Sequence, residues 1–236
     1  MEKIIIYVLL LVIFVIMTVK NIMLIRRNSQ AKKCNEYCQA ILNDKDDAYL
    51  QAEKYIKSCK NNMFSNKVRL FLIWHDINDS KFDQDLLEID IKSLFYKYNK
   101  FNKNNFIFNS DTFIWLSLIM CKAYYHNNKK SIIKLLNLFK KYENDFIDYL
   151  EYSVFLKGIK NAFVDSDSDL LMTIINNEQN GYKYNPKYLD LYMVISEIIL
   201  ISTHLLERNK IINNHITSFS KTNLGKIFIK ELHLEI

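Results

Sequence analysis

Three glycines and a single proline are all that the 236 residues contain, and this scarcity constrains the fold more than any other feature. Glycine supplies the positive-φ positions of tight turns, and proline presets the φ of turn openings. A chain almost without either lacks the material for sandwiches, barrels, Gly-rich phosphate loops and nucleotide-binding fingerprints. Half of the residues are hydrophobic, which is not the composition of a disordered tail. The expected fold class is all-α.

Residues 4–19, IIIYVLLLVIFVIMTV, hold no charge, and the apolar character resumes at 22–25 before Arg26 and Arg27 end it. About 20 helical residues cross a hydrocarbon core, and a lysine near the end of such a run, here Lys20, reaches the interface. No A-x-A-like small-residue site follows, so an uncleaved anchor is expected rather than a removed signal peptide. The predicted organisation is a membrane anchor at 1–27, a basic juxtamembrane linker at 28–33 and an α-helical hairpin domain at 34–236.

The charge is unevenly divided. Lys3, Lys20, Arg26, Arg27, Lys32 and Lys33 face only Glu2, so the first 33 residues hold +5 of the net +6. The remainder is nearly neutral, which argues against a phosphate-neutralising groove and so against nucleic-acid binding. The basic cluster belongs at a membrane surface. One Lys/Arg precedes the apolar run and five follow it, and that asymmetry places the C-terminal domain on the cytoplasmic side. Four cysteines without a dense framework point the same way.

Beyond the anchor, apolar residues recur at helical spacing between clusters of Asn, Asp, Lys and Ser. Some eleven helices are predicted, among them 33–43, 46–59, 83–98, 110–126, 129–142, 145–164, 168–178 and 187–207. Taken in pairs they make about five hairpins, beginning near 33, 66, 110, 145 and 187, with one helix left over. Caps are expected at Ser110 or Asp111, at Asp167 or Ser168, and at Asn185 before Pro186. Gly158 and Ala162 lie one turn apart and suit a close helix–helix approach. The segment 188–206 is apolar nearly all round and reads as a central packed helix; its Asp190, Glu197 and His204, seven apart, form one stripe expected to face solvent.

The stretch AYYHNNKKSIIKLL, Ala123 to Leu136, resembles the turn region of a tetratricopeptide repeat. In that comparison Ala123, Tyr124 and Tyr125 end the first helix, Ser131 takes the small-residue position of the second, and Leu135 a packing position. The resemblance implies a solenoid of hairpins that binds a protein or peptide. An irregular helical bundle is the alternative.

No residue is expected to be catalytic, cofactor-binding or metal-ligating. Cys34 and Cys38 stand four apart, with Cys59 on a predicted antiparallel partner, but no zinc-finger spacing follows, and buried small hydrophobes is their expected role. Asp165, Asp167 and Asp169 begin like a calcium loop, yet Leu170 stands where the turn glycine belongs and Asn176 where the bidentate glutamate belongs. Asp83, Asp85, Glu88 and Asp90 suit a solvated helix start. The interleaved aromatics and lysines of 95–108 read as a helix end and a loop, with 99–105 the best candidate for mobility. An enzyme would need Asp111, His126, Asp190, Glu197 or His204 to converge. The expectation is therefore a non-enzymatic, cofactor-free, single-pass membrane scaffold or adaptor; the alternative is an extracytoplasmic anchored domain acting in envelope or surface binding.

Overall fold

The computed structural model describes residues 2–43, 45, 47–60, 62–77, 81–94, 96–98, 105–107, 110–141, 149–179 and 189–235. Eleven α-helices and one short two-stranded ribbon make up its regular structure among those residues. The chain forms two compact units, 1–71 and 72–236.

The first unit is built on α1 (Glu2–Leu42), a single helix of 41 residues. Its backbone runs without interruption through 28–33, so the stretch expected as a linker is helical. Asn28, Ser29, Gln30 and Ala31 include no glycine or proline, and nothing there removes a backbone donor or clashes with the preceding turn. α2 (Ala48–Ser58) folds back on α1. Ala48, Ala52 and Tyr55 recur at three- and four-residue spacing and are buried, the periodicity of one helix face. They lie on the helix that packs against α1, in which Cys34, Cys38 and Ile41 are also buried. α3 (Asn62–His75) begins in this unit, with Phe64 and Val68 in its core.

Among the described residues no helix is long and apolar enough to cross a membrane. Side chains of α1 are described from Val12 onward, so residues 4–11 of the expected 1–27 anchor lie outside that statement.

The second unit takes up the end of α3 and continues with α4 (Lys81–Glu88), a 3-10 turn (Ile91–Leu94), β1 (Tyr96–Tyr98) and β2 (Asn105–Ile107). The expected helix over 83–98 therefore stops ten residues early. Beyond Asp90 and Ile91 the chain carries consecutive aromatics that prefer extended backbone, and Tyr96, Lys97 and Tyr98 pair antiparallel with Ile107, Phe106 and Asn105. Of the loop expected at 99–105, residues 99–104 lie outside the described residues, as does the Asn185 cap.

Then follow α5 (Ser110–Tyr125), α6 (Lys129–Lys140), α7 (Tyr149–Lys160), α8 (Asp169–Gln179), α9 (Leu189–Ser202), α10 (Lys210–Ser220) and α11 (Asn223–Glu231). The expected pairs α5–α6, α7–α8 and α9–α10 are in contact, and α5–α7 and α7–α9 pack as well. α11 returns to α5. In an open stack of hairpins each repeat touches only its neighbours, so this contact departs from a simple open array. Every residue from Met193 to Ile201 is buried, in keeping with the all-round apolar sequence of α9 and its contacts with α7, α8 and α10.

Turns are made with almost no glycine. Asp47, Asn127, Ser166, His204 and His233 take positive φ, between 48° and 60°. Short polar side chains tolerate this left-handed well best, and four of the five sit just past helix ends, where such a residue closes the last turn.

Of the expected pair Gly158 and Ala162, Gly158 stands at a close helix–helix approach. A Cβ on Gly158 would lie 2.8 Å from Cδ2 of Leu171 in α8, so the glycine stands where α7 and α8 come close; Ala162, four residues on and past the end of α7, is buried.

Candidate functional site

Among the described residues, α1 presents the longest exposed apolar surface. Val12, Ile13, Phe14, Val15, Ile16, Met17, Val19, Ile22, Met23, Leu24 and Ile25 are all between 45% and 69% exposed. Consecutive helical residues advance by about 100°, so 12–17 alone are apolar on every side rather than along one stripe, and Thr18, Lys20 and Asn21 interrupt the run beyond them. Scattered exposed apolar residues are ordinary, whereas a contiguous apolar surface of this extent marks an interaction surface. Arg26 and Arg27 close it, and Lys32 and Lys33 follow two turns later; all four are exposed.

Above that segment α1 becomes a packing helix. Tyr37 lies 4.9 Å, centroid to centroid, from Tyr55 of α2, and the Tyr55 hydroxyl donates to the Gln30 carbonyl at 3.1 Å. The three cysteines come together around this tyrosine. Cys34 donates to the Phe64 carbonyl at 3.5 Å and Cys59 donates to the Tyr55 hydroxyl at 3.4 Å. The neighbouring Cys38 thiol and, less strongly, the Lys67 ammonium hold the Cys34 thiol below its ordinary range against the opposing effect of burial. Cys38 is pushed up by its hydrogen bond to Cys34 and by burial. Tyr55 is pushed up mainly by burial and by its bond to Cys59. Cys34 and Cys38 are 1% and 3% exposed, so they fill the core as expected of small hydrophobes.

The polar stripe of the second unit does not form. Glu197 is fully buried instead of solvated, and both its carboxylate oxygens lie 3.1 Å from Nδ1 of His215 in α10. His204 falls beyond the end of α9, exposed and left-handed, and the side chain of Asp190 lies outside the described residues. α9 ends early because Leu205 and Leu206 both donate to the Leu200 carbonyl across His204. The sequence carries no local sign of this contact, because His215 and Glu197 are 18 positions apart across a turn.

Burial pushes the Glu197 carboxyl above its ordinary range, partly offset by the hydrogen bond and charge of His215. A carboxyl raised on folding binds more protons in the folded chain, so stability is greatest below the unfolded value and falls as pH rises through the folded one. Glu197→Gln keeps the shape and removes the charge. The urea midpoint of the variant relative to wild type is expected to rise between about pH 4 and about pH 8. A variant that retains the wild-type pH slope above about pH 5 would assign that slope to other groups.

The remaining candidates are occupied structurally. Asp167 accepts from the Asn161 amide and from the backbone N–H of Asp169, each at 3.0 Å, which is the cap expected at α8; Asp165 pairs with Lys160. Asp83 pairs with Lys134 of α6 at 2.6 and 2.7 Å. Among the described residues no group of three His, Cys, Asp or Glu side chains is placed to hold a metal ion. His126 is exposed, and the side chain of Asp111 lies outside the described residues.

The segment that resembles a repeat turn folds as a helix–turn–helix. Asn127 takes positive φ and the Asn128 side chain accepts from Ser131 N–H at 3.2 Å, starting α6. Ala123, Ser131 and Leu135 are buried, and Tyr124 stacks on Phe163 at 4.3 Å. No protein-family model, curated protein or solved structure matches this chain.

Proposed function

We propose that this chain is a single-pass membrane-anchored helical scaffold that presents a protein- or peptide-binding domain at the cytoplasmic membrane surface. The observation that carries the reading is the all-round exposed apolar run of α1. A helix that is hydrophobic on every side belongs in a protein core or in lipid, and the side chains from Val12 to Ile25 are exposed rather than packed. That stretch alone spans about 21 Å, less than a hydrocarbon core. The apolar sequence reaches back to Ile4 and the α1 backbone to Glu2, and 4–25 in helix spans about 33 Å against a core of about 30 Å.

The side of the membrane follows from five Lys/Arg after the run against one before it. Four cysteines, none in a disulfide, support the same side. The hairpin α5–α6, with its repeat-like turn, supports the binding role. Its mechanism is confinement: a domain held in a thin layer meets membrane partners at raised effective concentration.

Two measurements test this. The full chain is expected to stay in the pellet after alkaline carbonate washing, and protease added outside intact cells is expected to leave the helical domain whole and to cut it after permeabilisation. Release by carbonate overturns the anchor. Cleavage in intact cells selects the extracytoplasmic alternative, and failure of crosslinking in native membranes to recover a specific partner removes the scaffold role.

A further inference from the structure

Past Ile25 the apolar surface of α1, which holds the single cation Lys20, gives way to a cluster of charge. Residues 3–33 include no Asp or Glu, and the first acid beyond, Glu36, lies 4.0 Å from Lys32. Because α1 is one unbroken helix, the basic side chains are held at fixed heights and angles. Arg26 and Arg27 follow Ile25 directly, and Lys32 and Lys33 stand about 9 Å further along the axis. A headgroup layer is roughly 5 to 7 Å thick on each side of the hydrocarbon, and electrostatic reach at physiological salt adds about 8 Å, so both pairs fall within range of the same lipid surface.

Their angles decide how the helix meets that surface. At about 100° per residue, Arg27, Lys32 and Lys33 lie roughly 100°, 240° and 340° round the axis from Arg26. The four charges surround the helix instead of lining one side. A helix that lies flat in the interface carries its cations on one face opposite an apolar one. A ring of cations, beneath which the apolar surface also goes all the way round, fits a helix that rises through the headgroups.

We propose that Arg26, Arg27, Lys32 and Lys33 form a collar that binds the phosphates of anionic phospholipid headgroups and so selects a negatively charged bilayer. This rests on the membrane reading of α1, which it sharpens by naming the lipid class. The guanidinium forks of Arg26 and Arg27, closest to the apolar end, match phosphate geometry; Lys32 and Lys33 add longer-range attraction. A nucleic acid offers the same phosphates but no apolar phase for the exposed segment directly beneath the collar.

The test uses the full chain reconstituted in mixed phosphatidylcholine–phosphatidylglycerol vesicles. Electron paramagnetic resonance of each lipid, spin-labelled in turn, reads which one is held at the protein. One basic side chain near an anionic surface is worth a factor of about five, so phosphatidylglycerol is expected to be favoured by about threefold or more. The preference is expected to vanish in Arg26→Gln/Arg27→Gln/Lys32→Gln/Lys33→Gln and to fall in wild type as salt is raised. Equal retention of both lipids by a carbonate-resistant chain overturns the collar and leaves the anchor standing. Loss of the chain from every vesicle overturns both. Binding to phosphatidylglycerol vesicles alone, reversed by salt, keeps the headgroup contact and removes the span.

Discussion

Val12→Asp/Val15→Asp/Val19→Asp is expected to move the full chain from the carbonate-resistant pellet to the supernatant, while Val12→Ala/Val15→Ala/Val19→Ala leaves it in the pellet. The three valines are 48%, 52% and 45% exposed, so the substitutions leave the folded cores intact and act through the surroundings of α1. A carboxylate near the middle of a membrane helix costs about 3 kcal/mol, whereas each large apolar residue contributes only about 0.5 in favour. Three acids at about 9 kcal/mol in all therefore cancel the gain of about 8 from the apolar residues that remain between 4 and 25. If the surroundings of α1 are water, the acids change nothing and both variants partition alike. A triple-Asp chain that remains in the washed pellet would remove the lipid reading.

The helical class was legible because it follows from what the chain lacks. With so little glycine, turns fall to residues that tolerate positive φ, and Asn127 and His204 do close α5 and α9. The centrality of α9 was equally legible, since Val194, Ile195, Ile198, Ile199 and Leu200 leave no polar face of useful width. The continuity of α1 was not. Asn28, Ser29, Lys32 and Lys33 read as a polar linker, but polarity alone does not stop a helix; a lost donor, a steric clash or a competing cap does. Boundaries near 83–98 failed for the opposite reason, because a charged helical start ran into aromatics whose pairing partners lie across a loop.

The site was less legible than the fold. The exposed apolar run could be read from the first line of the sequence, since its meaning depends on composition and length. The burial of Glu197 could not. Seven-residue spacing places Asp190, Glu197 and His204 on one face only while the helix lasts, and α9 ends at Ser202. Whether that face meets water depends on α10, whose placement brings His215 to the carboxylate.

Gly225→Ala is expected to destabilise the second unit far more than Gly158→Ala, and the difference comes from what each new methyl group would meet. At Gly158 the nearest atom is the end of the Leu171 side chain, which can shift. Alanine also gains about 1 kcal/mol over glycine inside a helix, so the net change there is expected to lie within about 1 kcal/mol of zero. At Gly225 the new Cβ would fall 2.0 Å from the Phe219 carbonyl oxygen and 2.5 Å from its carbon. That oxygen is already fixed, accepting the Thr222 hydroxyl at 2.7 Å and the Thr222 N–H at 2.9 Å. The Thr222 hydroxyl in turn accepts from Gly225 N–H at 2.9 Å to start α11. The backbone cannot move away without opening this cap and separating Phe219 from Phe228, whose rings lie 6.0 Å apart. Overpacking of this kind costs about 3 kcal/mol or more, a fall of roughly 6 to 12 °C in Tm for a unit of this size. Lys226→Ala, on the exposed side of the same turn, serves as the control and is expected to stay within about 0.5 kcal/mol of wild type. A Gly225→Ala chain that melts with the control would mean that α10 and α11 do not meet through this turn.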